Sequence, residues 1–195
     1  DAREPFDVAV ERSQGQMAVY RTRVHGTEDM READIYYIDR IIKTLLWVKG
    51  GFRVYLAGNE AVCDAMKQHY SAGGSRDFDF DYMGNVFEHP FEVLRVDRVP
   101  EEKSFSKAIG RHLDGCRIGF DAGGSDRKVS AVIDGESVYS EEVVWFPKTN
   151  SDPDYHYNGI VAALKSAAEH LPRVDAVGVS SAGVYIDNRT MNASL

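Results

Sequence analysis

Eight residues, DAGGSDRK from Asp121 to Lys128, bring together an acid, two adjacent glycines, a hydroxyl and a lysine. Gly123 and Gly124 are free to take backbone angles closed to other residues, and they place no side chain between their amides and a ligand. Amides presented in that way can approach an anion closely. Ser125 adds a hydroxyl donor, and Lys128 adds a positive charge suited to a phosphate. Asp121 would repel a phosphate at contact, so it makes sense where Mg²⁺ or its water shell lies between the two. The set reads as a metal–nucleotide site. It is not the strand-to-helix phosphate loop, because it lies between two strand-like runs and lacks the GxxxxGK[ST] spacing. The plain alternative is a tight hairpin with a solvated Asp-Arg-Lys tip, and the order of the surrounding elements separates the two readings.

In the second half of the chain, "CRIGFDAG", "KVSAVIDG" and "SVYSEEVVW" read as three strands. Pro147 and Pro153 bracket a loop. A helix follows with Ile160, Leu164, Ala167, Ala168 and Leu171 on one face, closed by Pro172. A last strand, "AVGVSSAG", precedes a polar tail. Three antiparallel strands, a helix and a returning parallel strand form the start of a ribonuclease-H-like unit, which normally continues with another helix and strand.

The first half predicts a smaller α/β domain. Phe6, Val8 and Val10, then "SQGQ", then Met17 and Val19 alternate as a β-hairpin. Ile38, Ile41, Ile42, Leu45 and Leu46 have helical spacing, with Asp29 and Glu32 as a capping pair and Gly50–Gly51 as the stop. "FRVYLAG" is a buried strand, and Asn59 caps a second helix that Gly73 and Gly74 end. "VYLAGNEAV" carries one glycine before that helix, which marks a structural crossover sooner than an anion site. "DFDFDYM" alternates as a strand, with Asp77, Asp79 and Asp81 on one face. Such a row marks a solvent-facing strand sooner than a Ca²⁺ or Mg²⁺ site. "PFEVLRV" is a further strand. The polar stretch with Pro100 places a boundary between Val99 and Leu113, giving domains of residues 1–110 and 111–195.

Composition limits the partners. At 43% hydrophobic and 28% charged residues the chain is of ordinary globular make-up. Its net charge of −8 and the absence of a basic stripe exclude phosphate-led nucleic-acid binding. No apolar run reaches membrane-spanning length. Two isolated cysteines, Cys63 and Cys116, fit reduced thiols in a cytoplasm better than a disulfide framework. The six histidines are scattered; His156 lies in the loop before the last helix and reads as a surface residue.

"IGFDAGGSDRKVSAVIDGE" resembles the first phosphate motif of the actin-like ATPase and sugar kinase superfamily. "DAVGVSSAGVYIDN" resembles the matching strand and glycine loop of the ROK family (repressors, open reading frames, kinases), and the resemblance spans about residues 116 to 195. It implies a two-lobed fold that holds ATP, Mg²⁺ and a sugar in a cleft. Asp121, Gly123, Gly124 and Ser125 carry over as phosphate and Mg²⁺ contacts, Asp121 through water. Lys128 carries over two residues later than in typical ROK loops. Ser180, Ser181 and Gly183 carry over as a loop on the sugar side. The family's Asn-Asp general base, its His/Cys zinc motif and its second lobe are not matched here.

The resemblance implies the N-terminal portion of a cytoplasmic, ATP-dependent sugar kinase, inactive as this piece, with the general base downstream. Its partners would be a sugar and a second lobe or a second copy, with neither nucleic acid nor membrane. A non-catalytic sugar- or nucleotide-binding regulator with the same fold is the alternative. An actin-like activator ATPase ranks last, because Cys63 and Cys116 offer no iron–sulfur spacing.

Overall fold

The computed structural model describes residues 4–105 and 110–193. The architecture is mixed α/β, in two compact units of residues 1–107 and 108–195. Residues 106–109, within the expected boundary region, lie outside the described residues.

In the first unit, β1 (Glu4–Arg12) and β2 (Gln16–Val24) form the expected hairpin around a 3₁₀ turn at Ser13–Gly15. Helix α1 (Arg31–Lys49) follows, then β3 (Arg53–Ala57), α2 (Glu60–His69), α3 (Asp77–Phe87) and β4 (Glu92–Arg95). The sheet order is β2-β1-β3-β4, with β3 antiparallel to β1 and parallel to β4. Ile38, Ile42 and Leu46 of α1 bury their helical stripe against Val8, Val10, Val54 and Leu56. Gly50, at φ 77°, ends α1 as expected. Asn59 Oδ1 accepts from the Val62 amide at 3.3 Å and caps α2.

Two expectations change here. Asp29 and Glu32 form no cap: residues 28–30 make a 3₁₀ turn, and α1 starts at Arg31 without a side-chain cap. The acid that anchors this entry is Asp34, which accepts from the amides of His25 and Gly26, both at 2.9 Å. The second change is "DFDFDYM", which is the first two turns of α3 and not a strand. Its period-two alternation ends within six residues. Through Phe87 the apolar positions Phe80, Met83, Val86 and Phe87 repeat at helical spacing and pack into the core, and Asp77 and Asp79 suit the positive end of a helix.

The three carboxylates therefore part company. Asp77 accepts from the Gly73 amide at 2.8 Å. Asp79 is buried and accepts from Trp47 Nε1 at 2.6 Å and Lys43 Nζ at 3.3 Å. Asp81 is exposed. Among the described residues no group of three or more acids, histidines or cysteines is arranged to hold a metal ion.

The second unit is built of β5 (Cys116–Ala122), β6 (Asp126–Ile133), β7 (Glu136–Val144), α4 (Pro153–Ala168) and β8 (Ala176–Ser181). Sheet order β7-β6-β5-β8, with β8 parallel to β5 and the other pairs antiparallel, matches the β-β-β-α-β order read from the sequence. One face of the sheet packs Ile118, Phe120, Ala122, Val129 and Ala131 against Ala163 and Ala167 of α4, with Trp145 among them. The expected polar tail instead forms a hairpin, β9 (Gly183–Ile186) and β10 (Arg189–Ala193), in a separate two-stranded sheet. Its turn residues Asp187 and Asn188 both take positive φ, 51° and 62°, as a mirror-type hairpin turn requires.

Cys63 and Cys116 are buried free thiols, and burial pushes the Cys63 thiol up to about 11. Among the described residues no helix is long and apolar enough to cross a membrane.

Two buried acids tie the first unit's stability to pH. Burial by itself raises the Asp39 carboxyl, but the Arg76 guanidinium and His69 outweigh it and hold it below the ordinary aspartate value. Burial likewise opposes Asp34, and the amides of His25 and Gly26 with the His25 ring bring it below that value. A depressed folded-state value gives stability that is present above the unfolded value, ~3.9, and is lost as pH falls through the folded one. Urea unfolding of the wild type should lose stability below about pH 4, and Asp34→Asn with Asp39→Asn should flatten that loss. An unchanged slope in the double variant would contradict the assignment.

Candidate phosphate-binding site

Strand alternation sorts the predicted residues into two sets. On β5, Ile118, Phe120 and Ala122 face the α4 core, so Gly119 and Asp121 face the other side. The pairing then lines up one residue from every strand: Glu142 opposite Lys128, Lys128 opposite Asp121, and Asp121 opposite Ser180. These four form a polar row across the sheet, with neighbouring backbones about 4.8 Å apart. Asp121, Lys128 and Ser180 share an open groove of about 480 Å³, floored by Gly119, Gly178 and Ser130. Small residues at those positions leave the space.

Ser181 pairs with Ala122 and so falls on the opposite face from Asp121. Gly183 opens β9. The expected loop through Ser180, Ser181 and Gly183 is therefore the end of one strand and the start of the next, and only Ser180 lines the groove.

Gly123, Gly124 and Ser125 are the three-residue connection from β5 to β6. Neither glycine takes a left-handed φ, so the sequence argument from unusual backbone angles does not apply to them. Close approach is what requires them. A Cβ on Gly123 would stand 2.6 Å from the Asp126 carbonyl oxygen. A Cβ on Gly124 would stand 2.7 Å from Lys148 Cε and 3.1 Å from its Nζ.

The turn is braced from the core. Trp145 Nε1 donates to the Gly123 carbonyl at 2.7 Å, and the Trp145 amide donates to the Ser125 carbonyl at 3.1 Å. Because the peptide is trans, a Gly123 carbonyl turned inward sends the Gly124 N–H the opposite way. Among the described residues the Gly124 and Ser125 amides donate no hydrogen bond, and the Asp121 carboxylate accepts none. Lys128 is engaged: its Nζ lies 3.5 Å from Asp126 Oδ1 and 3.9 Å from Glu142 Oε1. His156, read as a surface residue, sits between backbone carbonyls, with Nδ1 3.1 Å from Asp152 O and Nε2 3.2 Å from Pro147 O.

Sequence reasoning missed Trp145 and Lys148. Pro147 at the start of the 3₁₀ turn Pro147–Thr149 was the available signal that this segment is ordered beside the loop.

One carboxylate, a hydroxyl and free amides are hard or neutral donors. They suit Mg²⁺ carried on phosphates with its own water, which needs one or two protein carboxylates, and not an ion caged by protein alone.

No family model matches the chain, and no curated protein matches it. Two chains of known structure match. One is an exopolyphosphatase from Cytophaga hutchinsonii, 10% identical, aligned over 91% of this chain with a TM-score of 0.26. The match covers 64% of that enzyme's length. A TM-score of that size establishes no shared fold.

Substituting each glycine tests the geometry. Gly123→Ala meets a backbone oxygen and should cost about 1–3 kcal/mol in urea unfolding. Gly124→Ala meets only the end of a flexible lysine and should stay within about 0.5 kcal/mol of wild type. Equal costs would contradict the packing described.

Proposed function

We propose that the second unit is a ribonuclease-H-like, actin-like ATPase lobe, and that it belongs to the N-terminal portion of a ROK-like, ATP-dependent sugar kinase. The observation that carries this reading is the pair of free amides at Gly124 and Ser125 beside the unpaired carboxylate of Asp121. A buried core residue, Trp145, uses its indole donor to hold that turn, so the outward Gly124 amide is fixed before any ligand arrives.

In this reading the Gly124 and Ser125 amides and the Ser125 hydroxyl hold the terminal phosphate oxygens of ATP. Asp121 would hold the water shell of Mg²⁺, which would supply positive charge to offset that of the phosphates. Ser180, next to Asp121 in the row, offers a hydroxyl to the sugar side of the groove. Ser181 and Gly183 belong to the same proposed sugar side by resemblance; Lys128, which the resemblance would put on the phosphate side, is engaged by Asp126 and Glu142. During transfer the bond from the γ-phosphorus to the β,γ-bridging oxygen breaks and a bond to a sugar hydroxyl oxygen forms. The hydroxyl proton passes to a general base that is not assigned to any of residues 1–195. Positioning and charge offset supply most of the rate in such chemistry.

Asp121→Ala tests the assignment. In the intact protein, ATP-dependent phosphorylation of a panel of hexoses, read as ADP release, should fall at least about a hundredfold. The thermal transition should stay put, because the carboxylate supports no contact in the fold. Undiminished transfer would overturn the site. Nucleotide binding without any transfer in the intact wild-type protein would assign it as a regulator that kept the fold.

A further inference from the structure

We infer that Lys148, on the short 3₁₀ turn after β7, supplies the positive charge of the Gly123–Ser125 turn, in place of Lys128; this rests on the phosphate-binding reading above.

Lys128 is poorly placed to serve an anion. It lies within reach of Asp126 and Glu142, 3.5 and 3.9 Å away, and it stands opposite Asp121 across β5 and β6. A phosphate drawn to it would meet three carboxylates. Lys148 has the opposite surroundings. Its side chain crosses the face of Gly124, where a single added Cβ would come within 3.1 Å of Nζ. Among the described residues no carboxylate lies within 4.0 Å of that nitrogen. Gly124 and Lys148 therefore explain each other: the missing side chain opens the space that the lysine's end fills.

The backbone under Lys148 is held from both sides. Pro147 is buried, and its carbonyl faces His156 Nε2 at 3.2 Å. The Phe146 amide donates to Tyr155 Oη at 2.9 Å, so the first turn of α4 clamps the segment. On the other side the Trp145 amide reaches the Ser125 carbonyl at 3.1 Å. The same short stretch thus ties down the turn and carries the cation to it. An ammonium carried there on a fixed backbone completes a phosphate cradle with the free Gly124 and Ser125 amides. Its ligand class is the terminal phosphates of a polyphosphate chain, and it reads no base or sugar.

Calorimetric titration of the full chain with Mg–ATP and with Mg–tripolyphosphate tests this. Lys148→Ala should weaken both ligands about tenfold or more, as loss of a charge-assisted hydrogen bond does, and Lys148→Arg should retain binding. Gly124→Ala, which pushes the ammonium aside but keeps the charge, should weaken both as well. Lys128→Ala should change either by less than about threefold. If the wild type binds and Lys148→Ala binds equally well, or if Lys128→Ala carries the loss, the inference falls and the phosphate reading stands. A loss for ATP alone, with tripolyphosphate unaffected, also overturns it. If the wild type binds neither ligand, the phosphate reading falls and the inference with it.

Discussion

A turn of three small residues at the end of a sheet has little of its own to hold a shape. Here the shape comes from Trp145. Its ring is packed among Phe120, Val129 and Ala163, its indole N–H is given to the Gly123 carbonyl, and its amide to the Ser125 carbonyl. Two of the turn's oxygens are thereby committed to the interior. Peptide planarity then fixes where the intervening amide points. The direction of the free Gly124 amide is a consequence of core packing, and the phosphate reading of the turn depends on it.

The sheet adds the rest by register. Because residues alternate faces, one face is an apolar floor for α4 and the other a groove floored by glycine and serine. The same register that buries Phe120 sets Asp121 beside Lys128 and Ser180. A slip of one residue would send all three to the core side. The chain carries a net charge of −8, so its long-range field does not favour a polyphosphate. Recognition must come from short-range donors: the fixed amides, a hydroxyl and a cation unpaired by acid. Lys148 meets the last condition, and Lys128, between Asp126 and Glu142, does not.

Much of this was legible in the sequence, for physical reasons that differ by element. The helical stripe of α1 and the strands β5, β6 and β8 declare themselves because their periods run unbroken and their stops are glycines or prolines. α3 was misread because its first six residues alternate, and the helical period appears only when Met83, Val86 and Phe87 are counted. The β9–β10 hairpin was missed because its signal is the left-handed tendency of Asp187-Asn188, without a glycine. At the site, close approach and not unusual backbone angles is what requires Gly123 and Gly124. Contacts made across sequence, such as Lys148 over Gly124 and Trp145 beneath Gly123, leave no mark in local spacing.

The most direct test of the account follows the turn's own amides. Backbone amide resonances of Gly123, Gly124 and Ser125 should be followed by NMR as Mg–tripolyphosphate is added to isotopically labelled protein. The account predicts large shifts at Gly124 and Ser125, with Asp121 and the Trp145 indole N–H moving along with them. A folded spectrum in which those two amides stay still, while others move or none do, would contradict it.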